Sequence, residues 1–127
     1  LISSAGAVLR ARLGASGTPN STSTYDFGSW VVNNGALTAA ISGINQTSFT
    51  INEIALSNNF RTGIEIKIFQ PNKAFHTTIN FQGYDQRNGR LNVGSGGHLT
   101  ASAMTDFEIF PSTGTITGNV SVYGYNK

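Results

Sequence analysis

Apolar and polar residues alternate with a period of two along most of the chain. From Ala7 to Leu13, the residues Leu9, Ala11 and Leu13 fall on one side and Val8, Arg10 and Arg12 on the other, as in a half-buried strand. Leu1, Ala5, Val8 and Leu9 also fit helical spacing, so residues 1–6 have a second reading as the end of an upstream helical shaft. Gly14 to Thr24 is a loop by composition, after which Tyr25, Phe27 and Trp30 to Val32 open an aromatic, β-branched stretch. Strands are predicted at Phe49 to Ile54 and at Gly63 to Phe69, where Ile64, Ile66 and Ile68 face one way and Glu65 the other. Phe75, Thr77, Ile79 and Phe81 alternate with His76, Thr78, Asn80 and Gln82, which predicts one apolar face and one polar, outward-facing sheet surface.

Turn chemistry orders the second half. Asn88-Gly89 can hold both central residues of a two-residue turn at positive φ, so it is predicted to join the preceding strand to Arg90 to Val93 as a hairpin. Gly94-Ser95-Gly96-Gly97 reads as a flexible loop, followed by a weak stretch, His98 to Met104, and a strand at Phe107 to Phe110 that Pro111 ends. Thr115 to Tyr125 is the longest strand candidate, with a bulge expected near Gly118, where the apolar phase shifts. Eight to ten short strands without an interior helix predict one all-β domain spanning residues 1–127, an antiparallel β-sandwich or barrel.

Composition narrows the function. The 127 residues include 15 Gly, 13 Ser, 14 Thr and 13 Asn, a turn-rich and β-compatible set, with 8 Lys+Arg against 6 Asp+Glu. A net charge of +2 is too small an excess to make nucleic acid an expected partner. With no Cys there is no disulfide framework, no thiolate nucleophile and no sulfur-rich zinc site, so stability must come from packing or association. No apolar run reaches the 18 or so residues that cross a bilayer, and no charged-then-apolar leader opens the chain, so no integral membrane segment is expected. A first residue of Leu1 suggests a fragment or a processed product.

Chemistry-bearing residues are few and scattered. Asp26, Asp85, Asp106, Glu53, Glu65, Glu108, His76 and His98 are the available acids and histidines, and no pair has zinc-ligand spacing. Glu65 and Glu108 fall on solvent-facing positions of their strands, and His76 and His98 read as surface or turn residues. Neither a Gly-x-Ser-x-Gly elbow nor a phosphate-cradling loop is present, and three Asn-x-Ser/Thr matches are what chance predicts for this composition. No catalytic residue, metal site or cofactor is expected. A two-carboxylate glycosidase would need its acids close in space, which spacing along the chain does not test. Aromatic and amide groups are better supplied: Trp30, Tyr25, Tyr84, Tyr123 and Tyr125, with Asn and Gln residues, can stack on and hydrogen-bond to sugars. Tyr84, Arg87, Asn88, Arg90 and His98, which flank the hairpin and the glycine loop, are the candidate ligand- or receptor-binding residues.

Asp106-Phe107-Glu108-Ile109-Phe110-Pro111-Ser112-Thr113-Gly114, followed by a run from Thr115 that ends in Val122-Tyr123-Gly124, resembles the carboxy-terminal signature of tailed-phage appendage proteins. In them an aromatic-x-Ile-x-Pro-Ser-x-Gly turn precedes a strand ending in Val-Tyr-Gly or Leu-Tyr-Gly. The resemblance covers some 19 residues directly. It implies a non-enzymatic jelly-roll, TNF-like knob that forms a homotrimer at the distal end of a virion's tail fibre, spike or needle. There it would meet a bacterial outer-membrane component, glycan or protein, during attachment and genome ejection. The style is most similar to the tip of a short-tailed phage's tail needle, but no heptad shaft is present, which leaves needle against fibre open. Val120 and Val122 on one face and Tyr123 and Tyr125 on the other make the last strand apolar on both sides, so they are the candidate trimer interface. Cover by the domain's own second sheet and a loop is the alternative. Rival functions are a trimerising or carbohydrate-binding module of a polysaccharide-degrading tail spike, a monomeric carbohydrate-binding module, and a cap that only closes a shaft.

Overall fold

Eleven β-strands and no helix make up the described part of the computed structural model, which covers residues 2–3, 7–56, 61–86 and 88–124. The strands are β1 (Ile2–Ser3), β2 (Ala7–Ala15), β3 (Thr18–Pro19), β4 (Tyr25–Asn33), β5 (Ala36–Gln46), β6 (Phe49–Leu56), β7 (Thr62–Phe69), β8 (Thr77–Asp85), β9 (Arg90–His98), β10 (Asp106–Pro111) and β11 (Ile116–Thr117). Every pairing is antiparallel. A five-stranded sheet has the order β5-β4-β9-β8-β7, and a second sheet is centred on β2, flanked by β10 on one edge and by β6 and β3 on the other. The two sheets pack face to face as a β-sandwich, the coarse architecture expected from the alternation. A separate pair, β1 with β11, joins the two ends of the described chain.

The core lies between the sheets. Leu9, Ala11 and Leu13 of β2 and Phe49 and Ile51 of β6 meet Tyr25 of β4 and Ile79 and Phe81 of β8, with Met104 closing the cluster from the β9–β10 connection. Each large side chain so buried contributes roughly 1.5–3 kcal/mol. The edge of Phe49 meets the Tyr25 ring at 4.8 Å between centroids and 82° between planes. The Tyr25 hydroxyl donates to the Asn20 carbonyl at 2.7 Å and accepts from the Leu13 N–H at 3.2 Å, tying the loop after β3 to the core strand. Its burial pushes the phenol above its ordinary pKa. Tyr25→Phe keeps the ring and strands the Leu13 N–H. We expect a loss of about 1–3 kcal/mol, measured as a lower urea midpoint with unchanged slope.

Several expectations are corrected. Ser16 and Gly17, with φ of 54° and 78°, make a tight turn between Ala15 and Thr18, so the predicted Gly14 to Thr24 loop contains a small hairpin. Asn34-Gly35, at φ of 51° and 78°, makes the β4–β5 hairpin. Asn88-Gly89 does lie in a hairpin, but Asp85 pairs with Arg90, so the connection is four residues long and only Gly89 of that pair is left-handed. Asn88 spends its side chain on Asp85, donating Nδ2–H to Oδ2 at 2.6 Å. Phe75 precedes β8 and is exposed. Gly94 to Gly97 is not a loop: β9 runs through it to His98, paired on both sides. Within the described part of the predicted strand from Thr115 to Tyr125, only Ile116–Thr117 is strand, with β1 as its partner; residues 118–124 lie outside any strand and are exposed. Tyr125, and Leu1 and Ala5 of the helical reading, lie outside the described residues; Ile2–Ser3 is strand.

Candidate functional site

Two surface features carry more apolar area than the fold requires. The first is the outer face of the five-stranded sheet, where strand register places side chains in rows about 4.8 Å apart from strand to strand. One row runs Trp30, Val93, Gln82, Glu65 across β4, β9, β8 and β7. The next runs Gly28, Ser95, Asn80, Lys67. On the other side of the Trp30 row lie Val32, Leu91, Tyr84 and Gly63. Between the first two rows is a shallow open depression of about 490 Å³. Trp30 is 56% exposed, an unusual state for a tryptophan in the middle of a central strand.

The polar groups of this face hold one another in place. Gln82 Nε2 donates to Glu65 Oε2 at 2.6 Å, and Lys67 Nζ lies 3.2 Å from Glu65 Oε1. The hydrogen bonds from Lys67 and Gln82 hold the Glu65 carboxyl below its usual pKa, so it is ionised at neutral pH and cancels the charge of Lys67. Glu65 is solvent-facing, as its phase predicts; of the polar face expected at His76, Thr78, Asn80 and Gln82, the last three lie on this surface, while His76 precedes β8.

The second feature is the segment 118–124. Val120, Val122 and Tyr123 are 64%, 89% and 85% exposed, outside any strand. Three apolar side chains within four positions, at the end of the described chain, have no cover among the described residues.

The candidate binding residues do not form one cluster. Tyr84, Asn88 and Arg90 gather at the β8–β9 hairpin end, and Arg87 lies outside the described residues. His98 is at the other end of β9, roughly 27 Å away by strand rise. It is fully buried, not on a surface loop. Its Nε2 lies 3.1 Å from Asn20 Nδ2 and its ring 4.6 Å from the Tyr25 ring. Asn20 Nδ2 can only donate, so Nε2 must accept and the proton sits on Nδ1. Burial, and to a lesser degree the charge on His76, lowers the His98 pKa.

The sign of the resulting pH dependence follows from that shift. The unfolded chain takes up a proton at His98 as pH falls through about 6.5, while the folded chain resists until its lower pKa is reached. Stability therefore drops on acidification below about pH 6.5, with a slope of up to about 1.4 kcal/mol per pH unit, and levels off once the folded state also protonates. His98→Gln, which keeps an acceptor for Asn20, is expected to flatten urea-measured stability between pH 7 and 5; an unchanged slope would refute this role.

The acids have structural work. Asp26 Oδ1 accepts from the Asn45 N–H at 2.7 Å, Asp106 Oδ2 accepts from the Gly17 N–H at 2.6 Å, and Glu108 lies 3.6 Å from Arg12. Arg12 also donates to the Thr47 carbonyl and lies 4.5 Å over the Phe110 ring. No three acid or histidine side chains among the described residues converge on a metal-sized site, and no described helix is long and apolar enough to cross a membrane. Comparison with protein-family models, with characterised proteins and with solved structures gave no match.

Proposed function

We propose that the chain is the non-enzymatic tip of a bacteriophage tail appendage, a needle or fibre knob, which forms a homotrimer and contacts the host envelope during attachment and genome ejection. The observation that carries this reading is the exposed apolar segment 118–124 at the end of a β-sandwich. Three such segments brought together on a threefold axis would bury side chains that a lone chain leaves in water. The chain passes between the sheets after β3, β5, β6 and β9, while β4–β5 and β7–β8–β9 stay neighbours within one sheet. The phage-like run Asp106 to Gly124 covers β10, its turn, β11 and this segment. Engagement of Asp26, Asp106, Glu65 and Glu108 in local contacts supports a binding role over acid–base catalysis.

Light scattering tests the assembly and a pull-down on whole Gram-negative cells tests the attachment. We expect a mass of three chains, and depletion of the protein by some host strains with no release of sugar from their polysaccharide. A single-chain mass at working concentration, or adsorption to no strain, would overturn the reading; sugar release would favour the tail-spike module instead.

A further inference from the structure

We propose that the outer face of the five-stranded sheet binds a neutral bacterial surface glycan, with Trp30 as its stacking platform and the depression beside it as its hydrogen-bonding site. The inference rests on the attachment reading and gives the receptor its chemical class.

Gly28 is the first argument. A Cβ there would meet nothing within 4 Å, so no neighbour demands a glycine in the middle of β4, where glycine weakens a strand. Gly94 and Gly96 differ, since a Cβ at either would strike Phe81 or Phe49. What Gly28 does is leave the floor beside Trp30 bare. The second argument is Trp30, whose exposed indole offers a flat apolar surface to the C–H face of a sugar ring. The third is the amide of Gln82, two strands across in the same row. Gln82 is held through Nε2 by Glu65, which orders its amide, and it lines the depression together with Asn80 and Ser95.

Charge selects the class of ligand. Glu65 and Lys67 neutralise each other at 3.2 Å, so the depression offers no net charge to a phosphate backbone, an anionic lipid or an acidic polysaccharide. A flat protein partner would have to strip water from that ion pair and from the amides, at a cost its apolar contacts must first offset. A sugar replaces those waters with its own hydroxyls while stacking on the indole. Threefold repetition would then raise avidity by a factor of roughly 10² or more where spacing permits.

Trp30 is the one tryptophan in the chain, so its fluorescence reports on this face alone. The full chain is screened against neutral and acidic O-polysaccharide fragments released from Gram-negative lipopolysaccharide, and those that bind are titrated by Trp30 emission. We expect neutral fragments to bind and to shift the emission. Gly28→Val, which fills the floor with a strand-compatible side chain, is expected to weaken binding at least tenfold at an unchanged or raised melting temperature. Trp30→Ala, followed by calorimetry, is expected to do the same. Binding to acidic fragments alone, binding that both variants leave intact, or no binding to any fragment would overturn the proposal. If no fragment binds while the trimer still adsorbs to cells, the sheet-face site fails and the attachment reading stands. A single-chain protein that adsorbs to no strain removes the attachment reading instead.

Discussion

Gly96→Val should cost the domain on the order of 3 kcal/mol or more, although valine is the better strand residue. Gly96 is on the inner face of β9, and a Cβ there would lie 2.7 Å from the Asp26 carbonyl oxygen and 2.8 Å from the Phe49 ring. Backbone cannot step aside, and Phe49 is fully buried and wedged against Tyr25, so the extra atoms force strand displacement. Overpacking of this kind typically costs 1–3 kcal/mol, and here it adds to strained pairing with β4 and β8. Against a total stability of about 5–15 kcal/mol, that lowers the melting temperature by several degrees at least. Gly97→Val is the control. Its Cβ would point to the opposite face and meet only Leu99 Cδ2 at 4.0 Å, so the same gain in strand propensity comes without the clash. We expect it to be neutral or mildly stabilising in the same urea titration. Equal effects of the two substitutions would mean that Gly94 to Gly97 behaves as the loop its composition suggests.

That glycine run shows where the sequence stopped being legible. Strands with a side-chain period could be read directly: β2, β7 and β8 carry their alternation in Leu9, Ala11 and Leu13, in Ile64, Ile66 and Ile68, and in Ile79 and Phe81. β9 has no such period after Val93, because its inner positions are kept empty for aromatic rings supplied by β8 and β6. A long-range packing demand thus looks, locally, like a loop. β5 was missed for a related reason: at the sheet edge, Ala36 to Gln46 has weak alternation, although Asn34-Gly35 ahead of it is a strong hairpin signal. The polar row on β8 and Trp30 as an aromatic able to stack on sugars were visible as separate hints; the exposure of Trp30 was not. Only the register across β4, β9, β8 and β7 puts Gly28 and Ser95 beside them. His98 followed the same logic in reverse: taken to follow a loop, it read as a surface residue, whereas a strand ending in the core buries it against Tyr25.

The apolar terminal segment leads to the other large effect. Val120→Asp combined with Val122→Asp changes side chains that are 64% and 89% exposed in the single subunit, so the sandwich itself should lose little, within about 0.5 kcal/mol. In a threefold assembly the same pair brings six carboxylates into one apolar seam. Each must shed water without a cation to receive it, and each repels its symmetry mates. A weakening of association by more than a hundredfold, about 2.7 kcal/mol, is a modest expectation for that many buried charges. Light scattering should then report one chain where the proposed assembly of the unaltered protein would give three, and the thermal midpoint should fall and lose its dependence on protein concentration. Tyr123→Phe is the gentler companion, retaining the apolar ring, and should leave the assembly intact. If the double variant keeps the mass of the unaltered protein, Val120 and Val122 do not hold subunits together, and the trimer reading of segment 118–124 fails.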